Sequence, residues 1–208
     1  MKVRIIGLTG SLQSGKTELA HVFSHGGFCF ADLNDFANAV RQPGSPWYDE
    51  YVRLGLEDDI YDDGHKKTSY YLKVLSDPEL FQAMMAIELP AVKSLFEIAL
   101  FNKQPEMPVI LNWGYAYKYL GQIPMEHVIV FQARKEVWLR RLLRRAERLG
   151  IRGMNTKYML QLVANIDMEP EVILEKVRAH MDDRVTVFDT SDDDWGECQL
   201  PQVLAPLL

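Results

Sequence analysis

The run Gly10-Ser11-Leu12-Gln13-Ser14-Gly15-Lys16-Thr17 has the residue types and spacing to hold a polyphosphate. Glycine at positions 10 and 15 lets the backbone turn tightly, so that successive N–H groups converge on phosphate oxygens. A helix that opens near Lys16 adds the positive end of its dipole. Lys16 has the reach and the charge for β- and γ-phosphates, and the Thr17 hydroxyl suits a Mg²⁺ ion shared with phosphate oxygens and water. The chemistry implied is the binding of Mg²⁺ and a nucleoside triphosphate such as ATP.

Two further groups of residues have chemical potential. Asp32, Asn34 and Asp35 follow the apolar run Phe28 to Ala31, at the strand-end position where α/β proteins keep functional groups. Later, Arg140, Arg141, Arg144, Arg145 and Arg148 lie on one helical face, with Arg152 just beyond. Guanidinium pairs well with phosphoryl oxygens, so this face reads as an anion-binding lid, with one or more of Arg141, Arg145, Arg148 and Arg152 expected to close over a transferring group. The plainer reading is a solvated face offset by Glu136 and Glu147. The tyrosine-rich stretch Trp113 to Leu120 either lines a pocket or packs against a helix.

The elements that must position these groups follow from periodicity and punctuation. Val3 to Leu8 is an apolar strand leading into the loop. Thr17 to His25 is helical and stops at Gly26-Gly27. Phe28 to Ala31 is a second strand and Phe36 to Arg41 a short helix, and Pro43-Gly44-Ser45-Pro46 then breaks the pattern. From Trp47 to Gln104 the periodicity is helical, interrupted by the polar turn Asp58 to His65. Asp77-Pro78 reads as an N-cap followed by proline at the first helical position, with Pro90 a kink inside the helix that follows. Met107 to Leu111 and His127 to Phe131 are branched, bounded runs of the kind found in a parallel sheet covered on both faces. The remaining elements are helices over Arg134 to Leu149, Tyr158 to Asn165 and Glu171 to Met181 and a last strand over Val185 to Phe188, before an acidic tail. Strand and helix alternating around the loop imply an α/β fold with right-handed crossovers. One domain over 1–208 is expected, with a helical substrate region at 36–104 and a lid at 146–170.

Composition narrows the function classes. With 29 acidic against 23 basic side chains, the net charge of -6 argues against a surface built throughout for nucleic acid or anionic lipid, though not against a local basic site. Cys29 and Cys198 are far apart and the five histidines form no ligand spacing, so no metal beyond Mg²⁺ is indicated. No apolar run approaches membrane-spanning length and no signal core opens the chain, so a cytoplasmic protein is expected. Nothing in the sequence specifies an oligomeric state.

The chain resembles dephospho-CoA kinases, in the nucleoside-monophosphate-kinase-like branch of P-loop proteins. The likeness is carried by Ile5-Ile6-Gly7-Leu8-Thr9-Gly10 with Ser14-Gly15-Lys16-Thr17, by Phe28 to Asp32 leading to Ala37, Val40 and Pro43-Gly44, and by Ser76-Asp77-Pro78 before a long helix. It implies a three-layer P-loop kinase fold, with a five-stranded parallel sheet flanked by helices, a helical substrate region and an arginine-bearing lid. The implied reaction moves the ATP γ-phosphoryl group onto a ribose 3′-hydroxyl. The family's strand-two motif ends in Asp-x-Asp, whose second aspartate acts as base; that position is Asn34 here, and since an amide cannot take the proton, the resemblance implies that Asp32 or Asp35 substitutes as base. Asn112 stands where the family has an aspartate after the third strand, Leu89-Pro90 replaces a His-Pro pair, and Asn165 and Met168 fall where a Gln and an Arg are expected. These departures leave the donor cradle intact, so the expectation is a kinase with ATP as donor and an altered, nucleotide-like acceptor. Alternative acceptors are a nucleotide or a hydroxymethylated pyrimidine in DNA, stacked on the aromatic stretch. A non-catalytic ATP-binding sensor is the remaining reading.

Overall fold

The computed structural model describes residues 3–16, 28–103, 106–148, 150 and 156–192. The expected helix over 17–25 with its Gly26-Gly27 stop, Arg152, Cys198 and the tail beyond Asp192 lie outside the described residues. Two compact units are distinguishable: 1–31, 105–159 and 168–208 form one, and 32–104 with 160–167 the other.

The first unit is organised by strands β1 (Ile5–Gly10), β2 (Cys29–Asp32), β3 (Val109–Asn112), β4 (His127–Gln132) and β5 (Val185–Asp189). They form one five-stranded sheet in the order β2-β3-β1-β4-β5, and β1 pairs in parallel with both β3 and β4, as β4 does with β5. β2 joins the edge through Cys29 N–H donating to Pro108 O at 2.9 Å. β1 is buried along its whole length, which explains why Ile5, Ile6 and Leu8 read as a continuous apolar run rather than an alternating one. Ile6, Leu8, Ile110, Ile129, Phe131 and Phe188 form the core on this sheet. Parallel pairing sets the last residues of β3, β4 and β5 along one edge, and they are the polar Asn112, Gln132 and Asp189 beside Gly10.

The described helices are α1 (Leu33–Arg41), α2 (Tyr48–Arg53), α3 (Thr68–Ser76), α4 (Pro78–Lys103), α5 (Lys135–Arg148), α6 (Thr156–Asn165) and α7 (Pro170–Met181), with 3₁₀ turns at Glu57–Asp59 and Ala116–Tyr119. The start of α4 is as expected: Asp77 Oδ1 accepts from Glu79 N–H and Leu80 N–H, each at 3.0 Å, with Pro78 as the first helical residue. The helix runs unbroken through Pro90. α1 starts three residues earlier than its apolar pattern suggests, because the Asp32 side chain accepts from Asn34 N–H at 2.9 Å and caps it. Asp32 is therefore a helix cap, and Asn34 and Asp35 lie in the first turn. The aromatic stretch serves packing: Trp113, Tyr117 and Tyr119 are buried, and Trp113 stacks on Tyr119 with ring centroids 5.5 Å apart.

The second unit holds a charged core. Arg41 Nη1 meets Glu88 Oε1 at 2.6 Å with both side chains almost fully buried. Arg41 also donates to Gly64 O at 3.0 Å and to Asn38 Oδ1 at 2.5 Å, while Lys66 Nζ lies 3.9 Å from the same carboxylate and sits over the Tyr70 ring. Gly64 cannot be replaced at this packing, since its φ is +80° and a Cβ would come within 1.9 Å of Asn38 O. Burial alone would push the Glu88 carboxyl up, but Lys66, Arg41 and the Arg41 hydrogen bond outweigh it and hold the group below the usual carboxylate range. Burial, together with the nearby Arg41 charge, brings Lys66 down to about 8, with Glu88 opposing only in part.

Two outcomes follow from that core. Glu88→Ala leaves a buried guanidinium without its counter-charge and is expected to cost about 3–5 kcal/mol of unfolding free energy in urea titrations. A lysine whose folded pKa lies below its unfolded value binds fewer protons when folded, so its contribution to stability rises with pH between the two values. The wild type's unfolding free energy relative to Lys66→Met should therefore climb from about pH 8 to about pH 9.5. A flat difference would show that Lys66 does not titrate in this way.

Candidate active site

The site is built where β1 ends. Gly10 has φ +146°, and a Cβ there would approach Phe131 O to 2.4 Å and Ser14 Oγ to 2.8 Å, so the strand can turn into the loop against β4 only without a side chain. Gly15 has φ +91°, and Gln13, at +60°, takes the left-handed region that side chains usually avoid. Lys16 has helical backbone, and its Nζ turns back over the loop, donating to Gly10 O at 2.7 Å, Ser11 O at 3.0 Å and Ser14 Oγ at 3.3 Å. Ser14 N–H donates to Ser11 O at 3.2 Å and tightens the turn.

Groups distant in sequence hold this loop. Ser11 Oγ donates to Met168 O at 2.5 Å, Thr9 Oγ1 to Gly114 O at 2.9 Å, and Trp138 Nε1 of α5 to Leu12 O at 2.8 Å. Thr190, buried just after β5, makes the densest set of contacts. Its N–H donates to Gln132 O at 2.7 Å, and its Oγ1 lies 2.9 Å from Ser14 O and 3.0 Å from Gln132 O. Arg141 donates to Thr190 Oγ1 at 3.0 Å through Nη1 and to Thr190 O at 2.6 Å through Nη2.

A cavity of about 260 Å³ opens over the loop, lined by Gln13, Ser14, Gly15, Lys16, Arg141, Arg144 and Arg148. Four of these side chains are cationic and none is acidic, which suits an anion carrying several charges. Of the arginines singled out in the sequence to close over the site, the structure brings Arg141 and Arg148 to the loop. Arg145 is not among the lining residues, whereas Arg144 is. Positions 141, 144 and 148 recur at the i, i+3, i+7 spacing of one helical stripe, a signal present in the sequence. Trp138 and Thr190 had no such signal, because each reaches the loop only through the fold.

Thr17, the expected metal ligand, lies outside the described residues. Among the described residues no group of three or more His, Cys, Asp or Glu side chains could hold a metal ion. At the end of β3, Asn112 is buried and its Oδ1 has no hydrogen-bond partner among the described residues. A buried acceptor left unsatisfied at this edge fits a hydrated cation better than it fits an apolar core.

The candidate acids Asp32 and Asp35, with Asn34, sit in the second unit. Asp32 Oδ1 accepts from Asn34 Nδ2 at 2.8 Å as well as from Asn34 N–H. An aspartate at position 34 would set two carboxylates together there, so the amide stabilises the capped turn. Asp35 is exposed on the first turn of α1. Asn165 Nδ2 donates to Leu75 O at 3.0 Å at the end of α3, and Met168 is buried in the first unit.

A β1 strand entering a glycine-hinged, lysine-bearing phosphate loop on a 2-3-1-4-5 parallel sheet defines a P-loop kinase, a phosphotransferase. The protein TT1252 from Thermus thermophilus has the same fold over the full length of both chains, with a TM-score of 0.67 at 24% identity. Shikimate kinase from Bacteroides thetaiotaomicron superposes with a TM-score of 0.52 at 19% identity, over 98% of each chain. The family model for dephospho-CoA kinase matches residues 4–164, and the chain belongs to that family of ATP-dependent kinases. The dephospho-CoA kinase of Anaeromyxobacter dehalogenans is 27% identical over 146 residues, 69% of either chain. Among the described residues no helix is long and apolar enough to cross a membrane.

The cation stripe makes a prediction. Arg144→Gln combined with Arg148→Gln should weaken ATP binding by about three- to tenfold at low ionic strength, measured by calorimetry, with a smaller loss in high salt because both groups are exposed and screened. Unchanged affinity at low salt would exclude these two arginines from the phosphate site.

Proposed function

We propose that this protein transfers the γ-phosphoryl group of ATP to a hydroxyl of a nucleotide-like acceptor, with the donor's phosphates in the cavity over residues 10–16. The observation that carries the reading is the ring of Lys16, Arg141, Arg144 and Arg148 around a loop whose glycine geometry admits close approach. Phosphoryl transfer needs positioning and charge neutralisation more than covalent participation by the protein, and these residues supply both. Gly10 to Thr17 cradle the phosphates, Lys16 reaches the transferring group, and Arg141 with Arg145 acts on the lid side. Thr17 would hold Mg²⁺, with Asn112 Oδ1 available to its water shell. Bound there, the ion would neutralise phosphate charge.

Asp32 or Asp35 orients the acceptor hydroxyl and takes its proton. Residues 36–104 hold the acceptor and 146–170 act as the lid of one kinase domain. Dephospho-CoA is the first acceptor to test, on family membership. An altered acceptor site is supported by what its divergent positions do instead: Asn34 buttresses Asp32, Asn165 ties down the end of α3, and Met168 is core. The reaction belongs in the cytoplasm, where ATP is at hand.

A transfer assay with γ-labelled ATP against dephospho-CoA, nucleosides, nucleoside monophosphates and hydroxymethylated DNA identifies the acceptor as the species that gains label. Lys16→Ala is expected to abolish transfer. Label transfer undiminished in that variant would remove Lys16 from the mechanism, and ATP binding with no transfer to any acceptor would favour a sensor.

A further inference from the structure

We propose that Thr190 is a positioning residue for ATP binding, acting through Arg141. It rests on the reading that the cavity over the loop holds the donor's phosphates. Thr190 has no measurable exposure and faces no part of the cavity itself, since it is absent from the lining. Its hydroxyl nevertheless stands between two lining residues. A guanidinium carries only donors, so Thr190 Oγ1 accepts from Arg141 Nη1 at 3.0 Å. That fixes the direction of the remaining bond: the single hydroxyl proton points to the backbone carbonyls of Ser14, at 2.9 Å, and Gln132, at 3.0 Å, which share it. The Thr190 carbonyl receives the second prong of the guanidinium at 2.6 Å.

The geometry has two effects. A bidentate hold on the fork of Arg141 fixes the plane of its guanidinium at the cavity wall, where an otherwise mobile side chain would lose rotamer entropy on meeting a phosphate. The same hydroxyl ties Arg141 to Ser14, so the position of the arginine and the conformation of the loop are set together. A serine hydroxyl could make the same bonds. Valine, with nearly the same shape, could make neither, and would leave Ser14 O and one Arg141 N–H unpaired in a buried place.

ATP binding measured by calorimetry tests this without reference to any acceptor. Thr190→Val is expected to raise Kd by about tenfold, the size of losing one hydrogen bond to a charged group. Thr190→Ser should restore affinity to within about twofold of the wild type. In an Arg141→Ala background, Thr190→Val should bring a clearly smaller loss than in the wild type, about two- to threefold, from the freed Ser14 carbonyl alone. Thermal unfolding confirms that each variant is folded. If Thr190→Val does not fold, Arg141→Lys decides, since it keeps the charge but cannot grip Thr190 with two prongs, and should also bind about tenfold more weakly. Wild-type affinity in either of these variants overturns the proposal. So does equal weakening in the serine and valine variants, or a valine effect that persists at full size without Arg141, since both would show that Thr190 does not act through Arg141. Wild-type protein that binds no ATP at all refutes the donor-site reading itself.

Discussion

The approach of Gly10 to the backbone of β4 is the constraint on which the site depends. The carbonyl of Phe131 occupies the place where a side chain at position 10 would begin. Only glycine lets the chain leave the sheet at that point, and every later feature of the loop inherits the exit direction. Ser14 can then lie against Thr190, Lys16 can turn back over the loop, and α5 can present its arginines across the opening. Phe131 is itself fixed by β4, which pairs in parallel with β1 on one side and β5 on the other. The phosphate loop is thus an extension of the central strands rather than an appendage to them.

Much of this was legible before any coordinates, because it follows from local rules. The loop spacing, the buried branched strands, the Asp77 cap and the helical region between 47 and 104 all rest on near neighbours in sequence, where periodicity and turn chemistry decide. Other features were not legible because they depend on meetings across the chain. Thr190 lies 176 positions from Ser14 and 49 from Arg141, and nothing local marks it. The aromatic stretch Trp113 to Leu120 is compositionally the same whether it lines a pocket or stacks internally, and only the packing of Trp113 on Tyr119 distinguishes the two. The choice between Arg144 and Arg145 turned on helical phase, which the sequence holds but which needs the position of the loop to be used.

The two compact units reach stability by different routes. The sheet of the first is a continuous apolar layer in which Ile6, Leu8, Ile129 and Phe131 are removed from water, a non-directional stabilisation that tolerates exchange among apolar residues. The second encloses an ion pair, Arg41 with Glu88, under Lys66 and Tyr70. Such pairs add little net stability over an apolar replacement, but they penalise any arrangement in which one partner loses the other. The second unit is therefore specified more by the cost of wrong packings than by the depth of its own minimum. Asn34 is a smaller case of the same economy, since a carboxylate in its place would repel Asp32.

The internal bonds of Lys16 set a threshold for what can occupy the site. Its ammonium already has two carbonyls and a hydroxyl of its own loop within 3.3 Å. An anion that recruits it competes with these acceptors rather than with bulk water. Chloride or a single carboxylate offers too few acceptor atoms to make the exchange favourable, whereas adjacent phosphoryl groups replace each lost bond with a charged one. The acceptors of its own loop are thus the standard that an anion has to exceed to recruit Lys16.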